Sequence, residues 1–249
     1  MLRYHMKINY KLPIIDFKAG TVILAGAGPG NVELITIKVY QAIKQADIII
    51  YDALVNKDIL EISKKTSKHI FGGRLKNQKA CSQQDINEWM VLYAKKYKKV
   101  LRLKGGDLSF FSRGSQEIEF LKKNKIQFKV FSGITSSQSA LKCFELPFFN
   151  KNNLCNFITG HKRINDNSVS NDLKKIFCNQ GRIIIYMGVG QIKRISSELI
   201  NLGMNKKTKV FIISNASHAA ETFYKSDLSR VEDTIKKNKI TPPSIIIIN

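Results

Sequence analysis

The sequence predicts an α/β fold in two lobes, each a mostly parallel sheet with flanking helices, and three observations carry that reading. Short β-branched runs alternate with longer amphipathic stretches from residue 21 onward, the order that builds βαβ units. The alternation restarts after the turn at Ser132-Gly133, so the second half repeats the plan of the first. The 249 residues are 43% hydrophobic and 24% charged, enough for two ordinary domains and unlike a disordered tail or a fibrous rod. The predicted division is an N-terminal extension over 1–19, one lobe over 20–133 and a second over 134–249.

Each element has a local reason. Strand-like runs fall at 21–25 and 48–51, with a helix over 32–45 between them and another around 57–64. Ser82-Gln83-Gln84-Asp85 has the form of a capping box, and Ile86, Trp89, Met90, Tyr93 and Tyr97 follow at i, i+3, i+4 spacing. A helix over 83–97 with one buried face results, and Trp89 belongs to the core. Residues 100–103 read as a strand, 114–123 as a helix and 128–131 as a strand, followed by a Ser-rich helix start. Beyond the boundary, strands are expected at 154–159, 182–187, 209–213 and 244–248, with helices ending near 177 and spanning 192–201.

Charge and cysteine usage narrow the function class. Lys plus Arg number 41 against 19 Asp plus Glu, a net charge of +22 that attracts polyanions. The lysines are spread in ones and twos, so no basic arm for nucleic acid is formed, and no aromatic strand typical of an RNA-binding module is present. The four cysteines show no C-x-x-C spacing, which argues against a metal site and a disulfide framework and predicts a reducing, cytoplasmic setting. No apolar run is long enough to span a bilayer, and the first residues lack the apolar core of a signal peptide. The expected protein is soluble.

In α/β sheets, ligands bind beyond the carboxyl ends of strands, so the loops there hold the candidate site. The first is Gly26-Ala27-Gly28-Pro29-Gly30-Asn31, which resembles a dinucleotide loop with Asp52 as its ribose partner. Asn31 stands where the third glycine is needed, and Pro29 removes a backbone donor, so the loop suits close approach by a ligand without phosphates. The second is Lys104-Gly105-Gly106-Asp107, where paired glycines admit a ligand against the backbone and a carboxylate accepts from an amine or hydroxyl. Thr135-Ser136-Ser137 and Tyr186-Met187-Gly188-Val189-Gly190 complete the set.

Taken together and in order, the stretches GAGPGNVELITIK, ADIIIYDALV, RLKGGDLSFFSRG, GITSS, TGH, YMGVG and PPSIIII resemble the tetrapyrrole methylases. Within that family they are most similar to the branch that C-methylates uroporphyrinogen III, and RLKGGD with a following F-x-R-G is the most specific of them. The resemblance implies a two-lobed, non-Rossmann methyltransferase, a homodimer, with S-adenosylmethionine bound between the lobes and S-adenosylhomocysteine as product. It implies a cofactor site of Pro29, Gly105, Gly106, Asp107, Phe110, Thr135, Ser136, Met187 and Ala216. It assigns Asp52 as general base and Arg74 to the position of a lysine proton donor. Arg113, Gln116 and Lys151 take the places that meet the carboxylates of a polycarboxylate tetrapyrrole.

Some positions depart from the family pattern. Asn31 replaces an acidic residue, Gln116 a glutamate, Lys151 an arginine and Leu108-Ser109 a Pro-Phe pair. Arg74 is the most consequential departure, because a guanidinium with a pKa above ~12 is a poor proton donor near neutrality. A homologue that binds the cofactor with little turnover, or one acting on another tetrapyrrole, is the alternative these departures leave open.

Overall fold

The computed structural model describes residues 14–73, 81–149, 151–160 and 168–249. The first sheet contains β1 (Val22–Gly26), β2 (Ile48–Tyr51), β3 (Lys68–Phe71), β4 (Val100–Lys104) and β5 (Phe128–Phe131) in the order β3-β2-β4-β1-β5. Every pairing is parallel, with Val22 opposite both Val100 and Phe128. Parallel neighbours require crossovers, supplied by α1 (Ile37–Gln45), α2 (Gln83–Lys95) and α3 (Gly114–Lys123). With both faces covered, β1 is buried throughout: Ile23 and Ala25 face one core, Val22 and Leu24 the other.

The second sheet contains β6 (Cys155–Thr159), β7 (Arg182–Tyr186), β8 (Lys209–Ser214), β9 (Thr222–Asp227) and β10 (Ser244–Ile248), ordered β6-β7-β10-β8-β9. It departs from the mostly parallel arrangement expected: only β6 and β7 run parallel, whereas β10 is antiparallel to both β7 and β8, and β8 to β9. The short connection from β8 to β9 permits only a hairpin, and the last strand enters the gap between β7 and β8 from the opposite end. The α/β class holds for both lobes. Ile246 and Ile248 pack with α6 (Ile192–Asn201) and α7 (Val231–Lys237), while Ile245 and Ile247 pack against Ala140 and Leu141 of α4 (Ser136–Cys143). The remaining helix is α5 (Ser168–Asn179).

Local chemistry explains the boundaries. The single helix expected over 32–45 is divided: a 3-10 turn, Val32–Leu34, is capped by Asn31, and α1 starts anew at Thr36, whose hydroxyl accepts from Val39 N–H. The segment near 57–64 is likewise a 3-10 turn, Lys57–Ile62, with Asn56 as cap. The Ser82/Asp85 capping box forms as expected. The predicted extension is not wholly separate from the lobe. Phe17 is buried in the first core and Ile15 N–H donates to Gln41 Oε1, while residues 1–13 lie outside the described set. No helix among the described residues is long and apolar enough to cross a membrane.

Candidate functional site

The carboxyl ends of β1, β2, β4 and β5 meet those of β7 and β8 across one cleft, holding a cavity of about 380 Å³ that continues into a smaller hollow of about 250 Å³. The glycine loops form its floor. Gly28 N–H donates to Gly106 O at 3.1 Å and Gly106 N–H returns to Gly28 O at 2.7 Å, an antiparallel bridge between the first two candidate loops. Close packing beneath the bridge excludes side chains. A Cβ at Gly26 would lie 2.5 Å from Gly106 O, and one at Gly133 would collide with the carbonyls of Gly106 and Gly26. Gly106 differs: its φ is +71°, and an added Cβ would meet only Ser136 N at 4.0 Å.

Asp107 fixes this floor. Its Oδ1 accepts from Ser109 N–H and its Oδ2 from Gly133 N–H, both at 2.7 Å, so the buried carboxylate ties the β4 loop to the β5 loop. Thr135 starts α4, and its hydroxyl lies 2.5 Å from Tyr186 OH, joining the start of that helix to the end of β7 through a buried bond. Tyr186 stacks on Phe110, ring centroids 5.9 Å apart. Met187, at the end of β7, is left-handed at φ 52° and 47% exposed, a strained backbone position that turns its side chain out of the core.

The sequence-derived cofactor positions converge. Pro29, Gly105, Gly106, Asp107, Phe110, Thr135, Ser136 and Met187 line the larger cavity, and Ala216 lines its continuation. Asp52 and Arg113 line the same cavity. Two positions are not brought there. Gln116 is exposed on α3, whereas the next residue, Glu117, is fully buried. Lys151 lies in a shallow hollow with Arg182 and Asn249, where β7 begins, at the end of that strand away from the cleft. Arg74 and His161 of the TGH stretch lie outside the described residues.

Beside Asp52 lies a buried group of charges that sequence reasoning missed. Asp52 Oδ1 accepts from Arg102 Nη2 at 2.5 Å, and Lys104 Nζ stands 3.5 Å from its Oδ2. Both cations reach Glu117 Oε1 as well, Arg102 Nε at 3.1 Å and Lys104 Nζ at 3.0 Å. Two cations thus face two carboxylates; Glu117 is fully buried, whereas Asp52, at 28% side-chain exposure, is the most open of the four and lines the cavity together with Arg102 and Lys104. The Cys81 thiol lines the same cavity and is pushed up by burial, with the Asp85 and Asp52 carboxylates adding to the effect. His218 was also missed: it lines both hollows, and its ring fills the space that a side chain at Gly30 would need.

The cavity suits S-adenosylmethionine better than a dinucleotide. Of the donors in loop 28–31, Gly28 N–H is spent on Gly106 and Asn31 N–H on Ser217 Oγ at 3.1 Å, and Pro29 has none. A pyrophosphate would find little to hold it. Gly106, open on its cavity side, and the apolar wall of Phe110, Met187 and Ala216 fit a nucleoside with a thioether or sulfonium arm.

Comparison with known proteins agrees with this geometry. The family described as Tetrapyrrole (Corrin/Porphyrin) Methylases matches residues 21–232. The uroporphyrinogen-III C-methyltransferase of Methanocaldococcus jannaschii is 37% identical over 232 residues, 92% of this chain and 95% of that protein. The siroheme synthase of Nitrosomonas europaea is 34% identical over 94% of this chain, which spans about half its length, at 49%. Among solved structures, the uroporphyrin-III C-methyl transferase of Thermus thermophilus complexed with S-adenyl homocysteine superposes with a TM-score of 0.74 at 27% identity, covering 92% of each chain. The cleft, its ordered loops and these relatives lead to one conclusion: this chain belongs to the tetrapyrrole methylases.

Proposed function

We propose that this chain is an S-adenosylmethionine-dependent methyltransferase that C-methylates uroporphyrinogen III to precorrin-2, by way of precorrin-1, in siroheme or corrinoid synthesis. The observation that carries this reading is the convergence of nine sequence-derived cofactor positions on one continuous hollow beside Asp52. When bound, S-adenosylmethionine supplies a methyl group already activated on a sulfonium, so the protein's contribution is alignment and proton removal. The open face of Gly106 and the Tyr186–Phe110 wall hold the ligand in one orientation, and the Asp107 tie keeps the floor rigid.

Asp52 takes the proton that the ring must lose after a pyrrole carbon is methylated. Its Oδ1 is committed to Arg102, which leaves Oδ2 as the accepting atom. Arg113, exposed at the cavity wall, meets a substrate carboxylate, and the net charge of +22 draws a polycarboxylate toward the cleft. Arg74 belongs to the same proposal as a carboxylate-binding group. The division into lobes at 133/134, a homodimer and a cytoplasmic setting complete the reading.

Calorimetric titration with S-adenosylhomocysteine tests the cofactor half of the proposal. One site per chain with micromolar or tighter affinity is expected, and folded protein that takes up no ligand would overturn it.

A further inference from the structure

Resting on the reading of Asp52 as the base, we infer that Glu117 is a positioning residue that acts on Asp52 through Arg102 and Lys104. Each cation touches both carboxylates, closing a four-membered ring of charge: Arg102 reaches Asp52 at 2.5 Å and Glu117 at 3.1 Å, Lys104 reaches them at 3.5 and 3.0 Å. Arg102 and Lys104 alternate on one face of β4, and Glu117 lies in the first turn of α3 above that face. The rigid guanidinium fork converts the place of Glu117 into an orientation for Asp52, because Nε and Nη2 both lie 3.1 Å from Glu117 Oε1 while Nη2 also donates to Asp52 Oδ1 at 2.5 Å. Nη1 is fixed too, donating to Leu103 O at 3.2 Å.

The arrangement is a costly way to stabilise a fold. Glu117 is 0% exposed, its Oε1 accepts from Gln83, Arg102 and Lys104, and its Oε2 meets no hydrogen-bond partner among the described residues. A buried carboxylate with an unpaired oxygen pays desolvation that its ion pairs repay incompletely, and apolar residues of similar volume commonly serve a core as well. What the quartet supplies is a fixed carboxylate at its most exposed member. The groups facing Asp52 are Arg102 and Lys104 from β4 and the Cys81 thiol, with Glu117 behind the two cations.

The test compares Glu117→Gln, Asp52→Asn and the double variant, with Glu117→Asp, which keeps a buried charge beside both cations, as a second variant should the glutamine form not fold. Turnover with uroporphyrinogen III and S-adenosylmethionine and affinity for S-adenosylhomocysteine are measured for each, and the crystal structure of Glu117→Gln is determined. Glu117→Gln and Glu117→Asp are expected to lower kcat about 10-fold or more with cofactor affinity within about two-fold, and Glu117→Gln should add nothing in the Asp52→Asn background. A crystal structure of Glu117→Gln should show the Arg102 fork displaced and its 2.5 Å contact with Asp52 lengthened. Unchanged turnover in a folded Glu117 variant, or losses that multiply in the double variant, would overturn the inference. If the wild type itself transfers no methyl group, the reaction reading fails separately, and the crystal structure of Glu117→Gln alone decides the positioning: a displaced Asp52 carboxylate supports it and an unmoved one rejects it.

Discussion

Gly28 and Gly106 exchange both of their backbone hydrogen bonds, at 3.1 and 2.7 Å, although 78 residues separate them in the chain. This bridge binds the β1 loop to the β4 loop and makes the cleft floor a single surface, on which only Gly106 has free space above its Cα.

Gly106→Leu should therefore separate binding from folding. The side chain would project toward Ser136 into the cavity, and affinity for S-adenosylhomocysteine is expected to be lost. The left-handed backbone adds a stability cost of about 1–2 kcal/mol, visible as a modest drop in Tm. Gly133→Ala should do the opposite of a clean binding lesion, because its Cβ collides with two carbonyls and destabilises the floor itself. Calorimetry and thermal melts on both variants check the contrast.

NAD(P) should fail to displace S-adenosylhomocysteine. Two of the loop's backbone donors, at Gly28 and Asn31, are spent on Gly106 and Ser217, and Pro29 has none. Displacement by micromolar NAD in a competition titration would restore the dinucleotide reading.

Asp52→Asn is nearly isosteric and retains an oxygen to accept from Arg102, so cofactor affinity should stay within about two-fold. Turnover should fall by roughly the 10²–10⁴-fold typical of a general base. Steady-state rates together with a separate binding titration distinguish this from a general loss of structure, and a variant with wild-type turnover would remove Asp52 from the role.

Cys143 gives a pH-dependent prediction away from the cleft. Burial and the hydrogen bond to Glu221 push its thiol from 9.0 up to about 11. A raised pKa in the folded state means that its contribution is complete below pH 9 and is lost as the pH rises toward 11. The wild type should lose Tm over that window more steeply than Cys143→Ala, as read from melts across alkaline buffers.

Much of this was legible in the chain, for reasons that differ by element. β1, β4 and β10 are central, buried strands whose apolar runs announce themselves. β3 escaped notice because it is a short edge strand carrying Lys68 and His69 on exposed positions, and β9 because it is polar with an exposed Phe223. The proposed cofactor positions came from the resemblance of the ordered loops to the tetrapyrrole methylases, and the loops themselves were legible because a tight turn and a close backbone approach demand glycine. Arg102 and Glu117 were not, since an arginine in a strand reads as a solvent-facing residue unless the strand is known to be central. A signal was present: Arg102 and Lys104 alternate within an otherwise apolar run, and a carboxylate follows on the next helix. Gln116 drew attention to the helix position beside the one that is buried. The place of Lys151 beside Arg182 and Asn249, away from the cleft, is set by tertiary packing that no local pattern encodes.

The most direct test is anaerobic incubation of the purified protein with uroporphyrinogen III and methyl-labelled S-adenosylmethionine, followed by mass and absorbance of the product. The proposed activity predicts two labelled methyl groups on each tetrapyrrole and a matching yield of S-adenosylhomocysteine. Protein that binds S-adenosylhomocysteine yet transfers no label to the tetrapyrrole would contradict it.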